Sequence, residues 1–531
     1  GQIKHSYPKC WRCKTPVITR ATKQWFMSVD KFDLRKKLLE EIRKVKWIPE
    51  AGQNRISGMV EQRPDWCLSR QRVWGVPVPV LYCSTCEEAI LDPALIRQLG
   101  ERFRKEGSDA WFIHSALELT EGKFNCPKCG RKDLKKGEDI LDVWFESGAS
   151  HISVLMDWPG DLLAFPADMY LEGSDQHRGW FQSSLLVSCG ISGKAPYRTV
   201  FTHGFIMDGE GRKMSKSLGN VISPLDVMKQ YGADILRLWV VSSDTSDDIR
   251  ISTDSLKRLS EGYRKIRNTF KYLLGNLHGF DPHKDALPED ELLEVDRWAL
   301  SKLEALIEEM SAAYENGQLH RIYHAVYNFC VREMSSFYLD VLKDRLYTDS
   351  KRSVSGRSCR TALYEILTVL IKALAPILSF TSEEVWENLG FKTSVHLESF
   401  PKVYPKRRAA ALEERWARFL LVREKVLKAL EEKREKKEIG NSLEAEVELS
   451  LSKNEDSDFL KSFKEDLPGL FLVSHVEIVV QHEVSDGELN VVVSHARGRK
   501  CERCWNYRET VGKDKKHETL CHRCVAVIKG A

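Results

Sequence analysis

Long apolar runs are missing from this 531-residue sequence. Its most hydrophobic stretch, residues 362–380, is interrupted by Glu365, Lys372 and Pro376, so it predicts a buried helix rather than a membrane span. The opening segment, GQIKHSYPKC, has none of the apolar core of a secretory signal. We therefore expect no membrane partner and a cytoplasmic location.

The sequence also lacks a strong excess of charge of one sign. Its 81 Lys+Arg and 77 Asp+Glu residues leave a net charge of only +4. A surface that binds nucleic acid would then require local clusters of basic residues. No internal repeat of fixed period is present. The length predicts roughly three to five domains, each with its own core.

Nothing in the sequence indicates an oxidising compartment, so the 14 cysteines are expected to be thiols and metal ligands rather than disulfides. Near the C-terminal end, one group of four has the spacing of a closed four-thiolate zinc site: Cys501, Cys504, Cys521 and Cys524. The short segment that carries them is too small to fold without the metal. A second zinc site, with a longer gap between its pairs, is predicted from Cys83, Cys86, Cys126 and Cys129.

The remaining cysteines do not form a third group. The pair Cys10 and Cys13 has no partner pair left and is expected to be free in this polypeptide. The single cysteines are expected to be buried packing residues: Cys67, Cys189, Cys330 and Cys359.

A glycine-rich turn, residues 208–212, precedes the segment KMSKS. Glycines let the backbone approach a ligand closely, and the ammonium groups of Lys213 and Lys216 could both contact a triphosphate. Cations placed there would stabilise the charge that develops on phosphate oxygens during reaction. We predict a phosphate clamp with Lys213 and Lys216 as catalytic residues and Met214 and Ser215 as further nucleotide contacts. An exposed basic turn is the alternative.

The segment YLEGSDQHRGWFQSS, residues 170–184, predicts a strand, a tight turn and the start of a helix. Carboxylates at such a strand end lie where open α/β sheets bind ligands, so Glu172 and Asp175 could hold an ammonium group or ribose hydroxyls. The alternative is that Ser174 and Asp175 only cap the helix. A strand is also predicted for residues 139–145, DILDVWF. Its Trp144, like Trp180, could simply belong to a core.

These motifs together resemble those of isoleucyl-tRNA synthetases, a branch of the class I aminoacyl-tRNA synthetases. KMSKS matches the ATP-binding signature of the class, while residues 170–184, DVWFESG at 142–148, DWCLSRQRVWGVPVP at 65–79 and the C-terminal cysteine module resemble the isoleucyl branch. The resemblance implies that Glu172 contacts the aminoacyl-adenylate and that Trp144 and Trp180 wall the side-chain pocket. We expect Asp175 and Gln176 to contribute to the same site.

The resemblance implies an activity: activation of isoleucine with ATP and Mg²⁺, then transfer to tRNA(Ile), by a monomer that also holds structural zinc. A His-Ile-Gly-His motif and a threonine-rich editing pocket are absent from the sequence. We therefore expect a C-terminal fragment that does not charge tRNA alone. Two alternatives remain: a valyl- or leucyl-type ligase, and a non-catalytic zinc protein that binds tRNA.

The predicted fold is α/β plus all-α. A Rossmann-type parallel sheet is expected because strand-like and helical runs alternate before residue 250. A helical bundle follows, since apolar residues recur at helical spacing after Leu292. The predicted domains are an editing tail (1–25), a catalytic half-domain (26–250) with a zinc insertion (81–132), a connective region (251–290), a helical anticodon-binding domain (291–440), a β-rich junction (441–495) and a zinc module (496–531).

Two charged segments lie near the C-terminal end. Residues 407–437 predict a highly charged helix, which we interpret as a solvated face. The zinc module is basic and partly aromatic, as a module that contacts RNA would be. The residues concerned are Arg497, Arg499, Lys500, Arg503, Trp505, Arg508, Lys513, Lys515 and Lys516.

Overall fold

The computed structural model describes residues 1–10, 12–157, 162–451, 455–480 and 489–530. The chain forms two compact units, residues 1–205 and 206–531. Among the described residues, no helix is both long and apolar enough to cross a membrane. All 14 cysteines are free thiols.

The first unit mixes short strands and helices. Its strands are β1 (Phe26–Met27), β2 (Lys46–Ile48), β3 (Trp66–Cys67), β4 (Ser69–Arg70), β5 (Leu81–Cys83), β6 (Ala89–Ile90), β7 (Leu134–Lys136), β8 (Ile140–Leu141), β9 (Ala167–Gly173) and β10 (Tyr197–His203). Its α-helices are α1 (Leu34–Lys44), α2 (Ala51–Glu61), α3 (Pro93–Glu106), α4 (Ala110–Ile113), α5 (Ala116–Thr120), α6 (Val143–Gly148) and α7 (Trp180–Ser192).

A parallel sheet in the order β2-β10-β9 organises this unit. Val200 in its central strand lies opposite Trp47 on one side and Tyr170 on the other. The core around it includes the fully buried side chains of Leu38 and Phe181. The predicted parallel α/β sheet is therefore confirmed, and the carboxyl end of β9 is the place where residues 172–176 begin.

The insertion folds around its own small core. Strands β6-β5-β7 form an antiparallel sheet, which packs with helices α3 to α5. Leu81, Leu95 and Trp111 are almost fully buried there. Residues 139–145 differ from the prediction, because the strand ends at Leu141 and Asp142 caps α6 by accepting a hydrogen bond from the Trp144 amide. Trp144 therefore lies on a helix and not on a strand.

The second unit is mainly helical. Its helices are α8 (Pro224–Tyr231), α9 (Ala233–Ser242), α10 (Thr253–Asn276), α11 (Pro282–Asp285), α12 (Glu294–Glu315), α13 (Leu319–Asn328), α14 (Leu339–Thr348), α15 (Val354–Leu374), α16 (Ser379–Asn388), α17 (Ala410–Glu435), α18 (Glu455–Lys461), α19 (Leu467–Phe471) and α20 (His522–Ile528). Its strands are β11 (Ile206–Met207), β12 (Ile249–Arg250), β13 (Ala445–Leu451), β14 (His475–Val480), β15 (Leu489–His495), β16 (Arg499–Lys500) and β17 (Tyr507–Arg508).

The helical bundle buries the faces that its periodicity predicts. Leu303 and Met310 of α12 are almost fully buried, as are Met334 and Phe337 in a π-helix, Phe329–Tyr338, that joins α13 to α14. Most of the apolar stretch at 362–380 is also buried, although Phe380 is exposed, and the stretch divides between α15 and α16. Helix α17 is amphipathic, and its last charged block is exposed as predicted.

The region predicted to be β-rich contains a three-stranded sheet in the order β14-β13-β15. Helices α18 and α19 accompany the sheet, so the region is mixed α and β. Residues 452–454 and 481–488 of the predicted junction lie outside the described residues.

One buried carboxylate links four elements of the bundle. Asp296 of α12 is fully buried, and it accepts hydrogen bonds from Tyr338 Oη at 2.7 Å and from Arg345 Nη2 at 2.6 Å and Nη1 at 3.1 Å. Ser358 of α15 donates a further hydrogen bond. These partners offset the cost of removing the charge from water.

We predict that Asp296→Ala lowers the free energy of unfolding by about 3 to 5 kcal/mol, because it leaves the Arg345 guanidinium buried without its partner. Urea denaturation, followed by circular dichroism of the helices, measures the change. The control is Asp226→Ala, since Asp226 forms an exposed pair with Lys229 at 3.7 Å. We expect the control to change stability by less than about 0.5 kcal/mol. Equal effects of the two substitutions would contradict the assigned role of Asp296.

Candidate functional site

The turn before KMSKS is held together by one carboxylate. Asp208 Oδ1 accepts hydrogen bonds from the backbone amides of Arg212 at 2.7 Å and Glu210 at 3.1 Å. Its Oδ2 accepts from Arg212 Nε at 2.8 Å and from Asn220 Nδ2 at 2.9 Å. The hydrogen bond from Asn220, with those from Arg212, holds the pKa of Asp208 well below its usual range. The carboxylate therefore stays ionised and the turn stays closed.

Asn220 fixes the other end of the loop. Its Oδ1 accepts a hydrogen bond from the Ser215 amide at 2.9 Å, and its Nδ2 also donates to the Lys213 carbonyl at 3.3 Å. Gly211, with φ of +79°, makes the tight reversal. The sequence patterns had assigned no role to Asp208 or Asn220, although an acid and an amide that flank KMSKS were the available signal.

This framework separates the roles of the KMSKS side chains. Met214 is half-buried and packs against the core of the second unit, while Ser215 caps a 3-10 helix, Lys216–Leu218. Lys213 and Lys216 are exposed. The acids nearby pair with Arg212 rather than with the lysines. Both ammonium groups are thus presented by an ordered turn, as a phosphate clamp requires. Nucleotide contacts of Met214 and Ser215 stay a prediction.

The carboxyl end of β9 carries the predicted acids. Glu172 and Asp175 are both exposed, and Glu172 Oε2 accepts a hydrogen bond from the Gly173 amide at 3.1 Å. The 3-10 helix Ser174–His177 has no side-chain cap, and the Trp180 amide at the start of α7 donates instead to Gln176 Oε1 at 2.8 Å. Ser174 and Asp175 therefore make no cap hydrogen bond, and that part of the alternative is wrong, although Asp175 lies in the first turn of this helix as the alternative expected. Both carboxylates remain accessible to a ligand.

The two predicted indoles meet at the same turn. Trp180 stacks on Tyr170, with ring centroids 4.0 Å apart, and its Nε1 donates to the Ser147 carbonyl at 3.1 Å. Trp144 is 42% exposed. A Cβ added at Gly179 would lie 2.9 Å from the Trp144 ring, so only glycine allows this close contact. Trp180 is fixed and half-buried, whereas Trp144 offers an open apolar face next to Gln176.

The insertion brings its four predicted ligands together. The Sγ atoms of Cys83 and Cys129 lie 3.6 Å apart, those of Cys86 and Cys126 lie 3.5 Å apart, and all four lie within 4.8 Å of one another. Backbone amides of Cys86 and Thr85 lower the pKa of Cys83 to about 6. A thiolate is the form that binds metal, and four cysteine sulfurs at these distances fit tetrahedral Zn²⁺.

The C-terminal module has a second group of the same kind. Cys501, Cys504, Cys521 and Cys524 are all buried, and their Sγ atoms also lie within 4.8 Å of one another. Burial raises the pKa of Cys501, but backbone amides of Cys504 and Cys521 outweigh it and bring the value to about 7. These cysteines form the whole buried cluster of the module apart from Val511. So small a core fits a module that depends on Zn²⁺ for its fold.

The other cysteines differ from the ligands. Within the described residues, no potential metal group includes Cys10 or Cys13. Burial raises the pKa of Cys189, Cys330 and Cys359 to about 12, as expected of packing residues. Cys67 is only half-buried, so its predicted burial holds in part.

The basic residues of the zinc module divide into two sets. Arg499 donates to the Val511 carbonyl at 2.8 Å and Arg503 donates to the Thr348 carbonyl at 2.5 Å, so these two hold structure. Lys500 and Trp505 are exposed, with the ammonium 5.5 Å from the indole ring. This exposed basic and aromatic face can stack on a base and bind phosphate.

Three regions of the chain match known protein families. Residues 12–252 match the family described as tRNA synthetases class I (I, L, M and V), residues 296–449 match an anticodon-binding domain of tRNA ligase, and residues 498–527 match a zinc finger found in FPG and IleRS. A methionyl-tRNA synthetase structure from Mycobacterium tuberculosis has a similar fold, with a TM-score of 0.51 at 17% identity over 78% of this chain and 69% of that one.

Two curated relatives are similar along almost the whole chain. The protein named isoleucine–tRNA ligase from Syntrophotalea carbinolica is 52% identical over 99% of this chain, and the one from Geobacter sulfurreducens is 50% identical over 100%. This chain spans 58% of the length of each of these relatives.

We predict that the polypeptide binds two zinc ions, one at each four-cysteine group, while Cys10 and Cys13 stay open to thiol reagents. Elemental analysis after dialysis measures the ratio of metal to protein. Cys521→Ser should remove one ion, and the matched control Cys67→Ser should remove none, because Cys67 lies outside both groups. If the unchanged polypeptide bound one zinc ion and Cys521→Ser bound none, the predicted zinc site in the insertion would be wrong.

Proposed function

We propose that this chain, which belongs to the class I aminoacyl-tRNA synthetases, is part of an isoleucine–tRNA ligase that forms isoleucyl-adenylate from isoleucine and ATP with Mg²⁺ and passes the isoleucyl group to tRNA(Ile). The observation that carries the proposal is the ordered KMSKS turn, on which Asp208 and Asn220 hold the backbone and leave Lys213 and Lys216 exposed.

The first step is a substitution at the α-phosphorus of ATP. A carboxylate oxygen of isoleucine forms a bond to phosphorus, the bond to the bridging oxygen of the β-phosphate breaks, and pyrophosphate leaves with the electron pair. Negative charge increases on the leaving group, which the ammonium groups of Lys213 and Lys216 are placed to stabilise. Because the turn is already fixed by hydrogen bonds, little ordering of the loop is needed at that moment.

In this proposal, the end of β9 and the start of α7 bind the amino-acid part of the adenylate. Trp180 is held by Tyr170 and the Ser147 carbonyl, and Trp144 exposes its ring beside it. Flat indoles bury a branched aliphatic side chain without requiring a hydrogen bond. Glu172, Asp175 and Gln176 lie at the same turn, and we assign them contacts to the polar groups of the adenylate.

In this proposal, the second unit binds tRNA. The matched anticodon-binding region lies in the helical bundle, and Lys500 and Trp505 form an exposed face on the zinc module. We propose that both contact tRNA(Ile) and that the protein acts as a monomer. The domain limits given by the sequence and the cytoplasmic location stay predictions.

One alternative concerns the polypeptide of 531 residues by itself. Its sequence contains no His-Ile-Gly-His motif, and it spans 58% of its curated relatives. These observations favour tRNA binding without charging for this polypeptide. A valyl- or leucyl-type ligase has less support, since the relatives cited at 50% identity or more are named isoleucine–tRNA ligases.

We predict that Lys216→Ala slows isoleucine-dependent pyrophosphate exchange by roughly two to three decades when this chain is combined with the His-Ile-Gly-His segment of the enzyme. Affinity for tRNA should not change, because the lysine meets phosphate charge of ATP. Lys229→Ala is the matched control, since Lys229 is also exposed but lies on α8 beside Asp226. Exchange at the wild-type rate in Lys216→Ala would rule out the assigned role.

We also predict that the 531-residue polypeptide binds tRNA(Ile) but does not charge it. Binding should weaken steeply with salt, as phosphate contacts require. Charging should fail because orientation of ATP by the other half of the site can be worth roughly 7 to 11 kcal/mol. Filter binding and aminoacylation on one preparation, with and without the His-Ile-Gly-His segment added, test both parts. Strong charging by the polypeptide alone would disprove the split-site account.

A further inference from the structure

Each cysteine pair of the C-terminal module encloses an arginine directly before its second cysteine. Arg503 precedes Cys504, and Arg523 precedes Cys524. Within the module, these side chains are therefore placed by the turns that carry the sulfur ligands. Neither arginine is needed to bind metal, because the four sulfurs complete a tetrahedral site.

Both arginines reach the last turn of helix α14. Arg523 forms a two-pronged ion pair with Asp344, with Nη1 to Oδ2 at 2.6 Å and Nη2 to Oδ1 at 2.7 Å, and its Nη2 also donates to Thr348 Oγ1 at 3.0 Å. Arg503 Nη1 donates to the Thr348 backbone carbonyl at 2.5 Å. The two guanidinium groups thus converge on residues 344–348.

The C-terminal end of a helix is a favourable place for a guanidinium group to bind. Its last carbonyls lack partners within the helix and carry the negative end of the helix dipole, so cations bind there favourably. Paired N–H groups on a carboxylate give a strong and directional contact. Burial opposes ionisation of Asp344, but the hydrogen bonds and charge of Arg523 outweigh it and keep the pKa of Asp344 below its ordinary value.

Further polar contacts attach the module to the neighbouring sheet region, among them Arg497 Nε, which lies 3.9 Å from Glu446 Oε2. The Tyr507 amide donates to Ser474 Oγ at 2.7 Å. The exposed Lys500 and Trp505 lie in the same module. The contacts of Arg503 and Arg523 with α14, together with those of the module with the sheet region, therefore contribute to holding this face relative to the helical bundle.

We infer that Asp344 and Thr348 on α14, with Arg503 and Arg523 on the zinc module, are positioning residues for tRNA: the metal-bound turns fix two guanidinium groups, and these fix the Lys500–Trp505 face against the bundle. The inference rests on the proposed function, since it deepens how the second unit holds RNA. It also gives the zinc a role beyond folding, because loss of metal releases both arginines at once.

The first test measures docking without RNA. Asp344→Asn removes the charge that holds Arg523, and the matched control Asp514→Asn removes an acid that pairs with Lys529 at 2.6 Å inside the module. Hydrogen exchange should become faster at the amides around Thr348 and at Tyr507 in Asp344→Asn only, while both variants retain two zinc ions. Unchanged exchange in Asp344→Asn would overturn the docking role.

The second test uses a double-mutant cycle with Trp505→Ala and tRNA(Ile). Loss of one stacking residue should weaken binding by roughly 5- to 150-fold in the otherwise unchanged chain. In the Asp344→Asn background the same change should cost less than about twofold, because the face is already displaced and the two sites are coupled. Asp344→Asn should also reduce the steepness of the salt dependence, since phosphate contacts of the module are lost.

The outcomes separate the two proposals. Additive effects of Asp344→Asn and Trp505→Ala would show that Asp344 acts only on stability, and would overturn the positioning role. If the unchanged chain bound tRNA(Ile) no better than an unrelated RNA, the proposed function would fail, while hydrogen exchange would still decide whether Asp344 docks the module.

Discussion

The buried ion pair between Asp296 and Arg345 ties together the helical bundle of the second unit. It lies inside the bundle, where Asp296 of α12 also binds Tyr338 and Ser358, so it fixes α14 against three neighbouring elements. The adjacent residue, Asp344, binds Arg523 of the zinc module. Two aspartate–arginine pairs at consecutive positions of α14 therefore connect the core of the bundle to the last module of the chain.

A carboxylate that accepts several hydrogen bonds also holds the KMSKS turn. Asp208 collects two backbone amides, one guanidinium and one side-chain amide, and Asn220 links that carboxylate to the backbone of Lys213 and Ser215. An acid that is satisfied by the turn itself does not attract Lys213 or Lys216. Under the proposed function, both lysines would then keep their charge for phosphate groups, where it would lower the barrier of the reaction.

Sequence patterns predicted the parallel sheet, the helical bundle and the membership of both four-cysteine groups. They were less successful where one residue decides between two local structures. The run at 139–145 has the composition of a strand, yet Asp142 caps a helix and places Trp144 on it. Ser174 and Asp175 have the composition of helix caps, yet Gln176 accepts the Trp180 amide. In both cases one side-chain hydrogen bond, which the local composition does not specify, decides the structure.

The sequence by itself determined the chemistry of the sites, because that chemistry depends on short spacings. Two cysteines separated by two residues lie in one turn, and KMSKS carries both lysines on one loop, whatever the rest of the chain does. Tertiary structure decided which distant residues help to hold those sites in place. Arg523 and Asp344 are 179 positions apart, and Trp180 and the Ser147 carbonyl are 33 apart. No local period links such residues, since their meeting depends on how whole helices pack.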